Sequence, residues 1–254
     1  MMDRGGLMKA MILTLFMIFA ATQLKAEDRI KIAVIDSGIS FSQSTADYAC
    51  KDGHVSYIDD TIYVRHRHGE NIISILAPAV NPKTHCIKSF KVYRDVNALG
   101  DSSVDATIKA LKAITKDYQV KFVNISMGGG GTNFNEKRYI KRLLIRGVQI
   151  AVSAGNNGQN LDKNCDYFPA CYKKTLDSYH FYVVGSSLPS SNRGQVVTDT
   201  YSGKDVGTPV LSGTSQATAQ KMVFLLKSMV YSNRRLNERL QQTNTRNRKN
   251  RNYR

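Results

Sequence analysis

The residues Ile30–Gly38, IKIAVIDSG, decide the fold of this 254-residue chain. Ile30–Ile35 is a short and almost continuous apolar run, which is typical of a strand buried on both faces of a parallel sheet. The run stops at Asp36-Ser37-Gly38, whose residue types favour a turn. The pattern therefore predicts a central strand with a carboxylate, Asp36, at its carboxyl end.

Similar strands recur along the chain and alternate with segments of helical periodicity. Lys121–Ser126 (KFVNIS) leads into a run of four glycines, and Val148–Ser153 leads into Ala154-Gly155-Asn156. This alternation predicts an α/β domain with a mostly parallel central sheet and helices on both faces. Active sites in such sheets gather beyond the carboxyl ends of the strands, so Asp36, Ser126 and Asn156 are expected at one edge.

Four residues have the chemistry of serine-based hydrolysis. A serine nucleophile needs a base to take its proton, an acid to orient that base, and donors for the oxyanion. Asp36 follows a buried strand, His68 begins a helix, and Ser215 lies between small residues at a helix N-terminus. The amide of Asn156 and the backbone N–H of Ser215 are candidate oxyanion donors. Each signal is weak alone, because these residue types are also common in turns, helix caps and surface positions.

Six segments surround or accompany these residues in order along the chain: VIDSGI around Asp36, HG at His68-Gly69, NISMGG at Asn124–Gly129, SAGNNG around Asn156, YFPACY followed by FYVVGSS, and SGTSQATA around Ser215. Their order resembles that of the subtilisin-like serine peptidases, the subtilases. The resemblance covers residues 30–230. It implies a three-layer sandwich and peptide-bond hydrolysis through an acyl-enzyme. We expect no metal or other cofactor in this chain, because neither cysteine pair has C-x-x-C spacing and no carboxylate cluster follows His66-Arg67-His68.

The resemblance also implies a role for each matching residue. Asp36 would orient His68, His68 would be general base and then acid, Ser215 would attack, and Asn156 would help to hold the oxyanion. The substrate backbone would pair with two edges of the site. These edges are Ser126, Met127 and Gly128 on one side, and Leu99 and Gly100 on the other.

Several departures from the family's pattern bear on function. Ala219 replaces the proline that is usual four residues after the nucleophile, and Glu70 is a carboxylate close enough to His68 to raise its basicity. The stretch 75–88 is too short for the calcium-binding loop that many relatives have there. The stretch 185–213 is also abbreviated, so the resemblance does not define the floor and rim of the primary specificity pocket. No pro-segment is evident before the first strand.

The two ends of the chain predict an exported protein with a basic tail. Residues 1–26 have a basic start, an apolar run and a small residue at Ala26, which is typical of a cleaved signal peptide; an uncleaved membrane anchor is the alternative. The peptidase domain is expected over 27–233, in a secreted or periplasmic protein. The tail 234–254 is expected to be disordered and adds to a net charge of +16. The tail either binds an anionic surface or binds nucleic acid non-specifically, or it is simply a solvated tail.

The four cysteines, an even number in an exported chain, suggest two disulfides. Three pairings are possible. The pairing Cys50–Cys86 with Cys165–Cys171 is favoured because its second bridge closes a short loop.

The leading functional hypothesis is a monomeric secreted serine endopeptidase that acts on peptides or proteins. One alternative is a catalytically impaired subtilase-like binding module, which a covalent active-site serine probe would distinguish. The other is a basic surface-binding protein that acts through its tail, which salt-sensitive retention on polyanions would distinguish.

Overall fold

The computed structural model describes residues 28–39, 45–63, 67–94, 104–229, 231 and 235. Seven strands form one sheet in the order β2-β3-β1-β4-β5-β6-β7, and all neighbouring strands are parallel. The predicted α/β class with a parallel central sheet is therefore confirmed. The strands are β1 (Ile30–Asp36), β2 (Val55–Ser56), β3 (His85–Lys91), β4 (Val120–Ile125), β5 (Gln149–Ser153), β6 (Phe181–Ser186) and β7 (Asp199–Tyr201).

Helices cover both faces of the sheet and complete a three-layer sandwich. Helices α1 and α4 pack on one face, and α2 and α3 pack on the other. Asn133 begins α3 by accepting hydrogen bonds from the backbone N–H groups of Asn135 and Glu136. The helices are α1 (His68–Leu76), α2 (Val104–Lys116), α3 (Phe134–Ile145) and α4 (residues 214–229).

Strand β1 shows why the apolar run at the start of the chain forms the centre of the fold. Ala33 and Ile35 belong to the core beneath α2 and α3, whereas Ile32 and Val34 belong to the core beneath α1 and α4. All four side chains are fully buried. Burying a large aliphatic side chain contributes about 1.5–3 kcal/mol, so a strand that is apolar on both faces is stable only between two helical layers.

Two disulfides fasten connecting segments of the chain. Cys50 is joined to Cys86, and Cys165 is joined to Cys171. These are the pairs that the sequence analysis favours. The first fixes the segment before β2 to β3, and the second closes a short loop between β5 and β6.

Several sequence predictions lie outside the described residues. They concern the signal peptide 1–26, the tail 234–254 apart from residue 235, and the substrate-edge residues Leu99 and Gly100. Within the described part of the chain, no helix is both long and apolar enough to cross a bilayer. The domain limits 27 and 233 stay predictions.

Candidate active site

Asp36 and His68 meet at the carboxyl edge of the sheet. Asp36 is the last residue of β1 and is fully buried, and His68 is the first residue of α1. His68 Nδ1 and Asp36 Oδ1 are 2.8 Å apart, and the backbone N–H of Ser37 donates to the same oxygen at 2.7 Å. The hydroxyl of Ser37 accepts from the N–H of Gly69 at 3.1 Å, so the start of α1 is held against the end of β1. A Cβ at position 69 would collide with the carbonyl of Gly38, which explains the glycine after His68.

The charge of Asp36 controls the protonation of His68. Burial alone would lower the pKa of the imidazole, but the carboxylate of Asp36 outweighs burial and raises this pKa above its ordinary value. The carboxylate of Glu70 instead accepts two hydrogen bonds from the guanidinium of Arg67, at 2.9 and 3.1 Å. Asp36, and not Glu70, is therefore the partner that sets the basicity of the histidine.

Tyr93 is a third member of this cluster. Its hydroxyl donates to Asp36 Oδ1 at 3.1 Å and also lies 3.1 Å from His68 Nδ1. Burial and the neighbouring Asp36 raise the pKa of Tyr93 well above its usual range, so the phenol keeps its proton and stays a donor. Nothing in the sequence motifs singles out Tyr93. The strand pairing is the signal that could have identified it: Tyr93 lies two residues beyond Lys91 of β3, and Lys91 is paired with Asp36 of β1.

Ser215 lies at the start of α4, against the end of β4. Its hydroxyl donates to the carbonyl of Ser126 at 2.9 Å, and the hydroxyl of Ser126 donates to the carbonyl of Ser215 at 3.1 Å. Asn124 Nδ2 donates to Ser126 Oγ at 2.8 Å, which fixes that hydroxyl. The structure thus brings Ser126 and Ser215 together. Met127 and Gly128 follow Ser126 beyond the end of β4 and are only partly buried.

Asn156 is exposed next to the same helix start. Its Oδ1 accepts the backbone N–H of Thr214 at 2.9 Å, so its amide nitrogen is the end that can donate to a bound group. The hydroxyl of Thr214 accepts the N–H of Gly155 at 3.2 Å. The loop after β5 is therefore tied to α4 twice, and an amide donor lies beside Ser215.

A buried polar link joins the helix of His68 to the helix of Ser215. Gln216 Nε2 donates to Asn71 Oδ1 at 2.8 Å, and Asn71 Nδ2 donates to the carbonyls of Val206 and Pro209 at 2.7 and 2.6 Å. Asn71 is fully buried and Gln216 is 2% exposed. Asn71 follows His68 by one helical turn, and Gln216 follows Ser215 directly. This link fixes the two helices relative to each other and was not apparent from the sequence.

The groups at this edge of the sheet are those of hydroxyl-based chemistry. Among the described residues, no group of three or more histidine, cysteine, aspartate or glutamate side chains is arranged to hold a metal ion. The edge offers a carboxylate–imidazole pair, a serine at a helix N-terminus and an amide donor. These are the components of acyl transfer.

Comparison with known proteins agrees with the fold and the motifs. The chain is 25% identical over 244 residues to subtilisin NAT of Bacillus subtilis subsp. natto, covering 85% of this chain and 60% of that protein. It is 24% identical over 244 residues to a subtilisin of Bacillus pumilus, covering 85% of this chain and 84% of that protein. The chain thus spans less than two thirds of the length of subtilisin NAT.

Solved structures show the same architecture. A lanthipeptide protease superposes with a TM-score of 0.63 at 18% identity, over 83% of this chain and 76% of that chain. A cold-adapted subtilisin-like serine proteinase superposes with a TM-score of 0.60 at 18% identity, over 80% of this chain and 78% of that chain. The model of the subtilase family, Peptidase_S8, matches residues 27–243. The chain belongs to the subtilase family.

Proposed function

We propose that the protein is a serine endopeptidase with Asp36, His68 and Ser215 as its catalytic triad. Ser215 Oγ attacks the scissile carbonyl while His68 takes its proton, and an Oγ–C bond forms. The oxyanion is held by the amide of Asn156 and the backbone N–H of Ser215. His68 then gives the proton to the departing amine as the C–N bond breaks, and water hydrolyses the ester by the same steps in reverse order.

The observation that carries this proposal is the hydrogen bond of 2.8 Å between His68 Nδ1 and the buried Asp36. With Nδ1 bonded to a carboxylate, the other ring nitrogen, Nε2, is the one that can accept a proton. The hydroxyl of Ser215 donates to the carbonyl of Ser126 in this structure. Rotation about its Cα–Cβ bond between staggered positions would release it for transfer of the proton to His68.

The proposed substrate is an extended peptide that pairs with residues 126–128. These residues continue β4 beyond the end of the sheet, which is the geometry that accepts an added strand. Two disulfides suit an oxidising compartment, and this supports action outside the cytoplasm after export.

A fluorophosphonate probe with a small alkyl group tests the proposal directly. We expect wild-type protein to be labelled at Ser215 and to hydrolyse a casein substrate, and Ser215→Ala to do neither. Ser212→Ala is the matched control, because that hydroxyl lies three residues away and bonds Asp205 at 3.0 Å. Labelling that persists in Ser215→Ala would overturn the assignment of the nucleophile. A folded wild-type protein without labelling or hydrolysis would instead support a binding module.

A further inference from the structure

The side chain of Tyr167 fills a slot between the backbones of two glycines, Gly128 and Gly155, which form its two walls. Gly128 follows β4 and Gly155 follows the neighbouring strand β5. A Cβ built on Gly128 would lie 2.6 Å from Cε1 and 2.8 Å from Cζ of Tyr167, and one built on Gly155 would lie 2.9 Å from Cε2 and from Cζ. Real Cβ atoms do not approach other atoms so closely. The hydroxyl-bearing end of the ring therefore occupies the space between the two backbones.

This slot lies directly beside the proposed nucleophile. On one side, Gly155 donates to the hydroxyl of Thr214 at 3.2 Å. On the other side, Ser126, two residues before Gly128, exchanges hydrogen bonds of 2.9 and 3.1 Å with Ser215. A peptide that pairs with residues 126–128 and presents its carbonyl to Ser215 would direct one side chain between the two walls. That side chain belongs to the acyl residue, which precedes the scissile bond.

The backbone on both sides of Tyr167 is fixed. The residue lies inside the loop closed by Cys165 and Cys171, and its carbonyl accepts the N–H of Cys171 at 2.9 Å. The next residue, Phe168, exchanges two backbone hydrogen bonds with Gly129, at 3.0 and 2.8 Å. Burial raises the pKa of Tyr167, so its hydroxyl keeps its proton and the ring fills the slot without a charge.

We propose that Tyr167 determines specificity by filling the subsite of the acyl residue, so that the enzyme cleaves after glycine or alanine. This inference rests on the proposed function. Protein interiors are close-packed, so a larger side chain can enter only if the ring leaves the slot. Because the backbone is fixed on both sides of Tyr167, the ring can leave only by changing its rotamer and losing its packing in the slot. This displacement costs transition-state binding and lowers kcat/KM for large acyl residues.

A series of peptides that differ only at the acyl residue tests the proposal. For wild-type protein we expect kcat/KM with alanine to exceed that with phenylalanine by at least about 100-fold. Tyr167→Phe keeps the ring and should keep this preference. Tyr167→Ala empties the slot and should raise the ratio of kcat/KM with phenylalanine to kcat/KM with alanine by at least about 100-fold. Tyr179→Ala is the matched control, because Tyr179 lies on the same connecting segment and is 81% exposed, and its ratio should equal that of wild type.

The outcomes separate this inference from the proposed function when labelling by the fluorophosphonate is measured in parallel. Labelled wild-type protein that cleaves after phenylalanine as efficiently as after alanine overturns the role of Tyr167 but leaves the serine peptidase intact. If Tyr167→Ala is labelled but its ratio of kcat/KM with phenylalanine to kcat/KM with alanine equals that of wild type, the role of Tyr167 is again overturned and the serine peptidase is left intact. If wild-type protein and every variant are folded but show neither labelling nor hydrolysis, both the proposed function and the role of Tyr167 are overturned. If Tyr167→Ala does not fold, the cleavage pattern of wild-type protein on a peptide library still decides, since frequent cleavage after large residues contradicts the inference.

Discussion

The two disulfides should stabilise the fold by different amounts because they close loops of different length. The cysteines are 36 residues apart in Cys50–Cys86 and 6 residues apart in Cys165–Cys171. A cross-link removes conformational entropy from the unfolded chain, and this loss grows with the logarithm of the loop length. At 25 °C the relation gives about 4 kcal/mol for the longer loop and about 2 kcal/mol for the shorter one. We therefore expect Cys50→Ala with Cys86→Ala to lower the free energy of unfolding about twice as much as the second pair of substitutions.

Urea denaturation followed by circular dichroism measures the difference. With a slope of about 3 kcal/mol per molar urea, the longer loop corresponds to a midpoint shift of about 1.3 M. Both double variants lose two mostly buried sulfur atoms, so each serves as the packing control for the other. Equal losses, or a larger loss for the Cys165–Cys171 variant, would refute the argument from loop length.

The variant without the Cys50–Cys86 disulfide should remain active below the unfolding transition. Cys86 is paired with Lys31 near the start of β1, whereas Asp36 ends that strand five residues later. At about 3.3 Å per residue, the disulfide is about 16 Å from the carboxylate. We expect the fraction of protein labelled by the fluorophosphonate in buffer to equal that of wild type. Loss of labelling in a folded Cys50→Ala, Cys86→Ala variant would show that this disulfide also positions the site.

The remaining predictions concern catalysis. Ser215→Ala should abolish hydrolysis but lower the free energy of unfolding by only about 1 kcal/mol, since it removes one hydrogen bond; a melting curve and a peptide assay measure both. Asn156→Ala should lower kcat roughly 10²–10³-fold with KM little changed, the cost known for losing an oxyanion donor in a subtilisin, and an unchanged kcat would place the oxyanion elsewhere. The rate should rise with pH as His68 loses its proton and then level off, and the midpoint of the rise should lie above the pKa of an ordinary histidine because Asp36 raises this pKa. Tyr93→Phe removes a competing donor from Asp36, so the rise should move to higher pH; a shift to lower pH in a pH–rate profile would contradict this.

Much of the fold could be predicted because its signals are local. The apolar run of β1 and the alternation of strands with helices fixed the class, since only a sheet covered on both faces buries such strands. The same reasoning placed Asp36, Ser126 and Asn156 at strand ends, where the structure has them. The order of the elements within the sheet could not be derived in this way, because it depends on contacts between distant segments.

The unpredicted parts of the site are contacts between residues far apart in sequence. Tyr93 reaches Asp36 across 57 positions, and Gln216 reaches Asn71 across 145. Neither pair has a local pattern, because tyrosine, asparagine and glutamine occur at many surface positions. Tyr167 was part of the YFPACY motif, but its significance depends on two glycines that approach it only in the folded chain. Sequence patterns identify such residues as members of a motif and do not show what they touch.

The buried polar contacts around the site are better explained by positioning than by stability. A typical hydrogen bond contributes only about 0.5–1.5 kcal/mol net, and replacing both partners with apolar groups can be nearly neutral. The single Asn71–Gln216 hydrogen bond therefore adds little to stability, although Asn71 also satisfies the carbonyls of Val206 and Pro209. An apolar contact, however, is not directional and would permit the helices of His68 and Ser215 to slide against each other. A displacement of 1 Å between base and nucleophile can cost about 100-fold in rate. The hydrogen bond between Asn71, one turn after His68, and Gln216, next to Ser215, opposes such a displacement between the proposed base and nucleophile.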